Sequence, residues 1–129
     1  MNAYKALQNK FSEELSAFEG IFFAFSNEQF QQGLDKLNVT KEEIVSMGAG
    51  GFIKKTAVQD YKDMIKKHEQ GTKDFLANPA NLLAALVYEL CNHEYGYTGD
   101  DSDALKALGM SRENIPENIL IEAKRQADQ

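Results

Sequence analysis

Tyr4, Leu7, Phe11, Leu15 and Phe18 recur at three- and four-residue steps, which places them on one face of a first helix. After Gly20 the run Ile21-Phe22-Phe23-Ala24-Phe25 is short and aromatic, and its bounds at Gly20 and Ser26 predict a buried strand. Ser26 with Gln29 matches a capping box, so a helix is expected through Phe30 and Leu34 to about Leu37. Thr40 with Glu43 repeats the signal and predicts a short helix ending before Gly48. Gly48-Ala49-Gly50-Gly51 breaks the pattern, and Phe52-Ile53 is expected to form a strand pairing with 21–25.

Thr56 with Gln59 opens a further helix that turns Val58, Tyr61, Met64, Ile65 and Phe75 inward, with Gly71 a point of interruption. Asn78-Pro79 reads as a cap followed by proline at the first helical position, where its missing N–H costs nothing. The helix expected from Pro79 to about Tyr95 is apolar almost all round at Leu82–Val87, as a central buried helix would be. Gly96 and Gly99 flank a loop; Asp101 or Ser102 starts a short helix that Gly109 ends. Ser111 and Pro116 lead into a terminal helix with Ile115, Ile119 and Ala123 inward. The fold class expected is therefore α+β, predominantly helical: one domain, 1–129, of five or six helices with a strand pair from 21–25 and 51–54.

Composition changes this picture little. The chain's 129 residues, 43% hydrophobic and 26% charged, are those of a globular protein, and no apolar run reaches the ~20 residues that span a bilayer. The first twenty residues mix acids, amides and lysines with apolar positions and lack a signal-peptide core, and Cys91 is the one cysteine; a cytoplasmic location is expected.

Charge is more informative. From Asp74 to Leu105 there is no Lys or Arg but six acids, Asp74, Glu89, Glu94, Asp100, Asp101 and Asp103; the rest of the chain balances fourteen acids with fourteen bases. The net charge of −6 thus lies in one segment. An acidic chain of this kind is not expected to bind nucleic acid directly, because phosphates require a Lys/Arg surface. The modest lysine excess over 54–73 includes the acid-first pairs Asp63/Lys67 and Glu69/Lys73, the pattern of a solvated helix face.

Three motifs invite a chemical reading. Gly48-Ala49-Gly50-Gly51-Phe52-Ile53-Lys54 departs from a phosphate loop, since Ile53 stands where both a Walker loop and a dinucleotide fingerprint need glycine. Asp100-Asp101-Ser102-Asp103 departs from a calcium loop, which would need glycine where Lys106 stands. Glu89 and His93 are four apart and can meet on the central helix, with Glu94 one step round, so metal binding or acid–base chemistry there is an alternative to a structural histidine pair. Cys91 falls roughly opposite His93 on the helix, which argues against a nucleophile pair. Tyr88, Tyr95 and Tyr97 accompany the acids, and tyrosine is enriched at interfaces.

Taken together, the blocks Phe22-Phe23-Ala24-Phe25-Ser26-Asn27-Glu28-Gln29-Phe30, Gly48-Ala49-Gly50-Gly51-Phe52-Ile53-Lys54-Lys55 and Tyr88-Glu89-Leu90-Cys91-Asn92-His93-Glu94-Tyr95, with Thr98, Asp100 and Ala104–Gly109, resemble a family of small proteins carried by bacteriophages and mobile elements of gut bacteria. The resemblance implies a genetic context and supplies no catalytic residue. The expected function is an accessory protein that binds and modulates a host protein with a basic surface, such as one of a defence system. Its expected binding residues are Glu89, His93, Glu94, Tyr95, Tyr97, Asp100, Asp101 and Asp103. No cofactor, metal ligand or membrane partner is expected, and a homo-oligomer is left open. The rival expectation is a small metal- or ligand-binding enzyme using Glu89, His93 and Glu94.

Overall fold

The computed structural model describes residues 2–129. In chain order the elements are α1 (Ala3–Ser16), β1 (Ile21–Phe23), α2 (Asn27–Leu37), β2 (Ile44–Gly48), β3 (Gly51–Lys54), α3 (Val58–Leu76), α4 (Pro79–Asn92), α5 (Tyr95–Thr98), α6 (Ser102–Ala107) and α7 (Glu117–Ala127), with 3-10 turns at Lys41–Glu43, Lys55–Ala57 and Arg112–Asn114. The fold is α+β and predominantly helical, and the sheet is antiparallel in the order β1-β3-β2. The chain divides into two compact units: one of residues up to Ser12 together with Glu69–Gln129, the other of Glu13–His68.

The second unit is built on the sheet. Ser26 Oγ accepts the Gln29 N–H at 3.2 Å and starts α2, while Gln29 Oε1 accepts the Phe25 N–H at 2.8 Å, one residue before the position a capping box would use. Asn38 ends the helix in left-handed backbone (φ +54°), a region asparagine tolerates. The expected pairing of 21–25 with 51–54 is present over a shorter stretch, 21–23, with Ile21 opposite Ile53, Phe22 opposite Phe52 and Phe23 opposite Gly51. Phe22 stacks on Phe52 at 5.4 Å, and Phe30 meets Phe52 edge-on at 5.0 Å; with Ala24, Leu34 and Ile44 they form this unit's core.

The helix expected from Thr40 is corrected. Its capping box forms, with Thr40 N–H on Glu43 Oε1 at 3.1 Å, yet the helix stops after one 3-10 turn and 44–48 is strand β2. Ile44 and Val45 are β-branched, Ile44 reaches the aromatic core, and β2 can return along β3 because Gly48, Ala49 and Gly50 all take positive φ.

Gly33 lies under the Phe22 ring: a Cβ there would stand 2.1 Å from Phe22 Cδ2. Gly33→Ala is therefore expected to destabilise the protein by about 1–3 kcal/mol through overpacking, against the roughly 1 kcal/mol that alanine gains over glycine in a helix. Denaturant midpoints check this, with Gln32→Ala on the exposed side as control; a more stable Gly33→Ala would show that the ring packs elsewhere.

In the first unit α4 is the buried centre, as its composition predicts. Asn78 Oδ1 accepts the Ala80 and Asn81 N–H groups, Pro79 takes the first turn, and Leu82, Ala85, Leu86 and Leu90 are buried. They pack with Tyr4, Ala104, Leu105, Leu108, Ile115, Leu120 and Ala123. α6 closes as expected at Gly109 (φ +66°): its N–H bonds Lys106 O, and the Met110 N–H bonds Leu105 O, the paired bonds of a Schellman end. Gly71 does not interrupt α3; it gives room to Phe11, whose Cζ would be 3.1 Å from a Cβ. α4 ends at Asn92 rather than Tyr95, because Glu94 turns left-handed (φ +58°) and the chain restarts as α5 where a loop was expected.

Candidate functional site

The segment that carries the sequence's negative charge is not uniformly a surface. Glu89, on the inner face of α4, is buried: Tyr4 Oη donates to its Oε1 at 2.9 Å, and Gln8 Nε2 donates in turn to Tyr4 Oη at 2.7 Å. His93 Nε2 lies 3.3 Å from Glu89 Oε2, so the pair foreseen from the four-residue spacing does meet. Burial, reinforced by the neighbouring carboxylate that accepts its proton, pushes the Tyr4 phenol well above its ordinary pKa. Glu94 lies beyond the end of α4 and is exposed, so it does not complete a site with Glu89 and His93. Among the described residues no group of three or more His, Cys, Asp or Glu stands where it could hold a metal ion.

Asp101 is the second acid that leaves the expected surface. It is 1% exposed and is gripped from two sides. Arg112 donates Nε to Oδ2 at 3.1 Å and Nη2 to Oδ1 at 2.6 Å, a bidentate fork, while Lys124 Nζ lies 3.0 Å from Oδ2. The Arg112 guanidinium, helped by Lys124, holds this carboxyl below the usual carboxylate range although burial opposes it. The bases absent from 74–105 thus return from α7 and the turn before it. Asp101 ties the start of α6 to both.

Of the segment's six acids, Asp74, Glu94, Asp100 and Asp103 remain outward, the last three following α4. Asp100 Oδ1 accepts the Ser102 N–H at 2.9 Å and the Ser102 hydroxyl at 2.6 Å, and these bonds lower its pKa. Tyr97 is 93% exposed on α5, between left-handed Glu94 and Gly99 (φ +68°). Tyr95 is half-buried, with Lys124 Nζ 5.8 Å from its ring centre. The exposed acids and tyrosine of 94–103 are therefore Glu94, Tyr97, Asp100 and Asp103, with Tyr95 half-buried.

A second surface escaped the reading of the sequence. The run 21–25 was expected to be buried, but only Phe22 and Ala24 are; Phe23 is 63% and Phe25 77% exposed. Consecutive apolar residues in extended backbone supply both faces of a sheet, and α2 covers only the face bearing Phe22 and Phe52. The opposite face leaves Phe23, Val45 and Met47 partly in solvent, with Leu15 nearby on α1. A groove of about 790 Å³ runs here within the second unit. Among the described residues that line it, Lys36 is the one charged side chain.

These observations define a small, predominantly helical α+β protein with a three-stranded antiparallel sheet. The chain belongs to a family of unknown function (DUF7659), whose model matches residues 3–127. No curated protein and no solved structure matches it. No helix among the described residues is long and apolar enough to cross a membrane.

Proposed function

We propose that this chain is an accessory protein of a bacteriophage or mobile element that binds a basic host protein and inhibits it, through the face formed by Glu94, Tyr95, Tyr97, Asp100 and Asp103. The observation that carries the reading is Tyr97, a large aromatic side chain 93% exposed and flanked along the chain by the outward carboxylates Glu94, Asp100 and Asp103. A tyrosine brings contact area at small entropic cost, and carboxylates around it steer a positively charged partner and speed encounter. Host proteins that handle nucleic acid, defence nucleases among them, carry the complementary basic surface. Occupying that surface would exclude their substrate.

The test compares capture of bacterial host proteins by the native chain and by Tyr97→Ala, Glu94→Lys and Asp103→Lys combined with Asp100→Asn, which keeps an acceptor for Ser102. Asp101 and Glu89 are left intact because they are buried. A stoichiometric partner is expected on the native chain, lost from the variant at unchanged melting temperature. For the purified pair, association should slow by more than about tenfold between low and physiological salt. Equal capture by the variant overturns the reading.

A further inference from the structure

Among the described residues the outer edge of β1 has no partner strand. β1 lies at the end of the sheet, and the Lys54 N–H on Gly20 O and the Ala24 N–H on Gly50 O, both 2.9 Å, show which of its backbone groups face β3. By the alternation of an antiparallel ladder, the groups of Gly20, Phe22 and Ala24 point to β3 and those of Ile21 and Phe23 point away from it, to the edge. The next outward donor, the Phe25 N–H, is taken by the Gln29 side chain. This edge opens on the groove that Ile21, Phe23 and Phe25 line on one side and Gln32 and Lys36 of α2 on another.

We infer that the Ile21–Phe23 edge accepts an extended peptide segment of another protein as a fourth strand, one that alternates apolar with polar residues and carries an acidic residue in its polar register. Outward amide groups recognise another main chain, because only a strand offers donors and acceptors at the same repeat. Side chains of the added strand alternate between two sides. One set meets the apolar side of the groove at Phe23 and Leu15; the other meets the polar stripe of α2, where Lys36 calls for a carboxylate. An unpaired edge beside apolar surface invites aggregation unless it is covered. β2, the other edge, is bulged between Ser46 and Gly48, a device that disfavours pairing, and β1 shows no such irregularity. This inference concerns residues 13–68 and does not depend on the acidic face.

The experiment selects displayed random peptides of about twelve residues, enough for a strand with flanks, on the full chain, then measures a selected peptide by fluorescence anisotropy. Enriched sequences are expected to alternate apolar and polar residues with an acid in the polar register. N-methylation of alternate amides in one register should weaken binding by more than about tenfold and in the other register by little, since only one set faces β1. Phe23→Pro removes the outward N–H and leaves the bonds to β3, so it should weaken binding more than Phe23→Ala; Lys36→Glu should weaken acid-bearing peptides. The N-methyl comparison uses the native chain and stands even if Phe23→Pro does not fold. Failure to enrich any sequence, or equal binding by both N-methylated registers, overturns the inference. So does binding of dodecanoate that selected peptides cannot displace, which would make the groove a lipid site. A native dimer that Phe23→Pro converts to monomer would likewise overturn it, by assigning the edge to a second copy.

Discussion

Replacing Arg112 and Lys124 together by methionine is expected to destabilise the protein severely, because it strips the buried Asp101 carboxylate of both cations. The carboxylate is 1% exposed and its bonds at 2.6, 3.0 and 3.1 Å all come from these two side chains. A buried carboxylate left without partners costs about 3–5 kcal/mol. The two cations themselves lose less, since Arg112 is largely in solvent. Adding Asp101→Leu to the pair should recover most of the loss, because an apolar cluster of similar volume has no charge to desolvate.

The pH dependence separates this account from a general weakening. In the native protein the Asp101 pKa is lowered on folding, so its contribution is present above the unfolded value of about 3.9 and is lost as pH falls through the folded one. Without the cations, burial alone remains and the pKa should rise above the unfolded value. The double variant should then lose stability as pH rises from about 4, the reverse of the native Asp101 term. Denaturant melts from pH 3 to 7, with Asp101→Asn as reference, decide it; parallel curves for native and double variant would show that the bonds contribute little.

Leu86→Ala is the other change expected to be large. Leu86 has no exposed surface and sits on the inner side of α4, in the cluster that includes Leu90, Leu105 and Ala123. Removing its three outer carbons forfeits their burial and leaves a cavity that packed helices can only partly close, a loss of about 2–5 kcal/mol. Ile121→Ala on α7, 60% exposed, should change stability by no more than about 0.5 kcal/mol. Urea midpoints at constant slope would establish the contrast; equal effects at the two sites would mean that α4 is not the centre of this core.

Much of the architecture is legible in short-range signals. Ser26 and Asn78 start helices because a side-chain oxygen three residues or fewer from an amide finds it whatever surrounds them. The apolar circumference of 82–87 and Gly109 act as locally, and the pairing of 21–25 with 51–54 follows from two apolar runs flanked by glycine. What the chain decided only on folding depends on groups far apart along it. The Glu43 carboxylate bonds back to Thr40 as a capping box requires, yet β3 took the following residues into a sheet. Whether 21–25 would be covered on both sides depended on how many helices reached the sheet, and α2 covers only one face. The acids of 74–105 were visible as a block, but burial of Glu89 rests on Tyr4, 85 positions away, and that of Asp101 on Arg112 and Lys124. Local hydrogen bonds and side-chain periodicity are properties of the sequence itself; the desolvation of a charge is a property of what packs around it, and only the tertiary structure determines that.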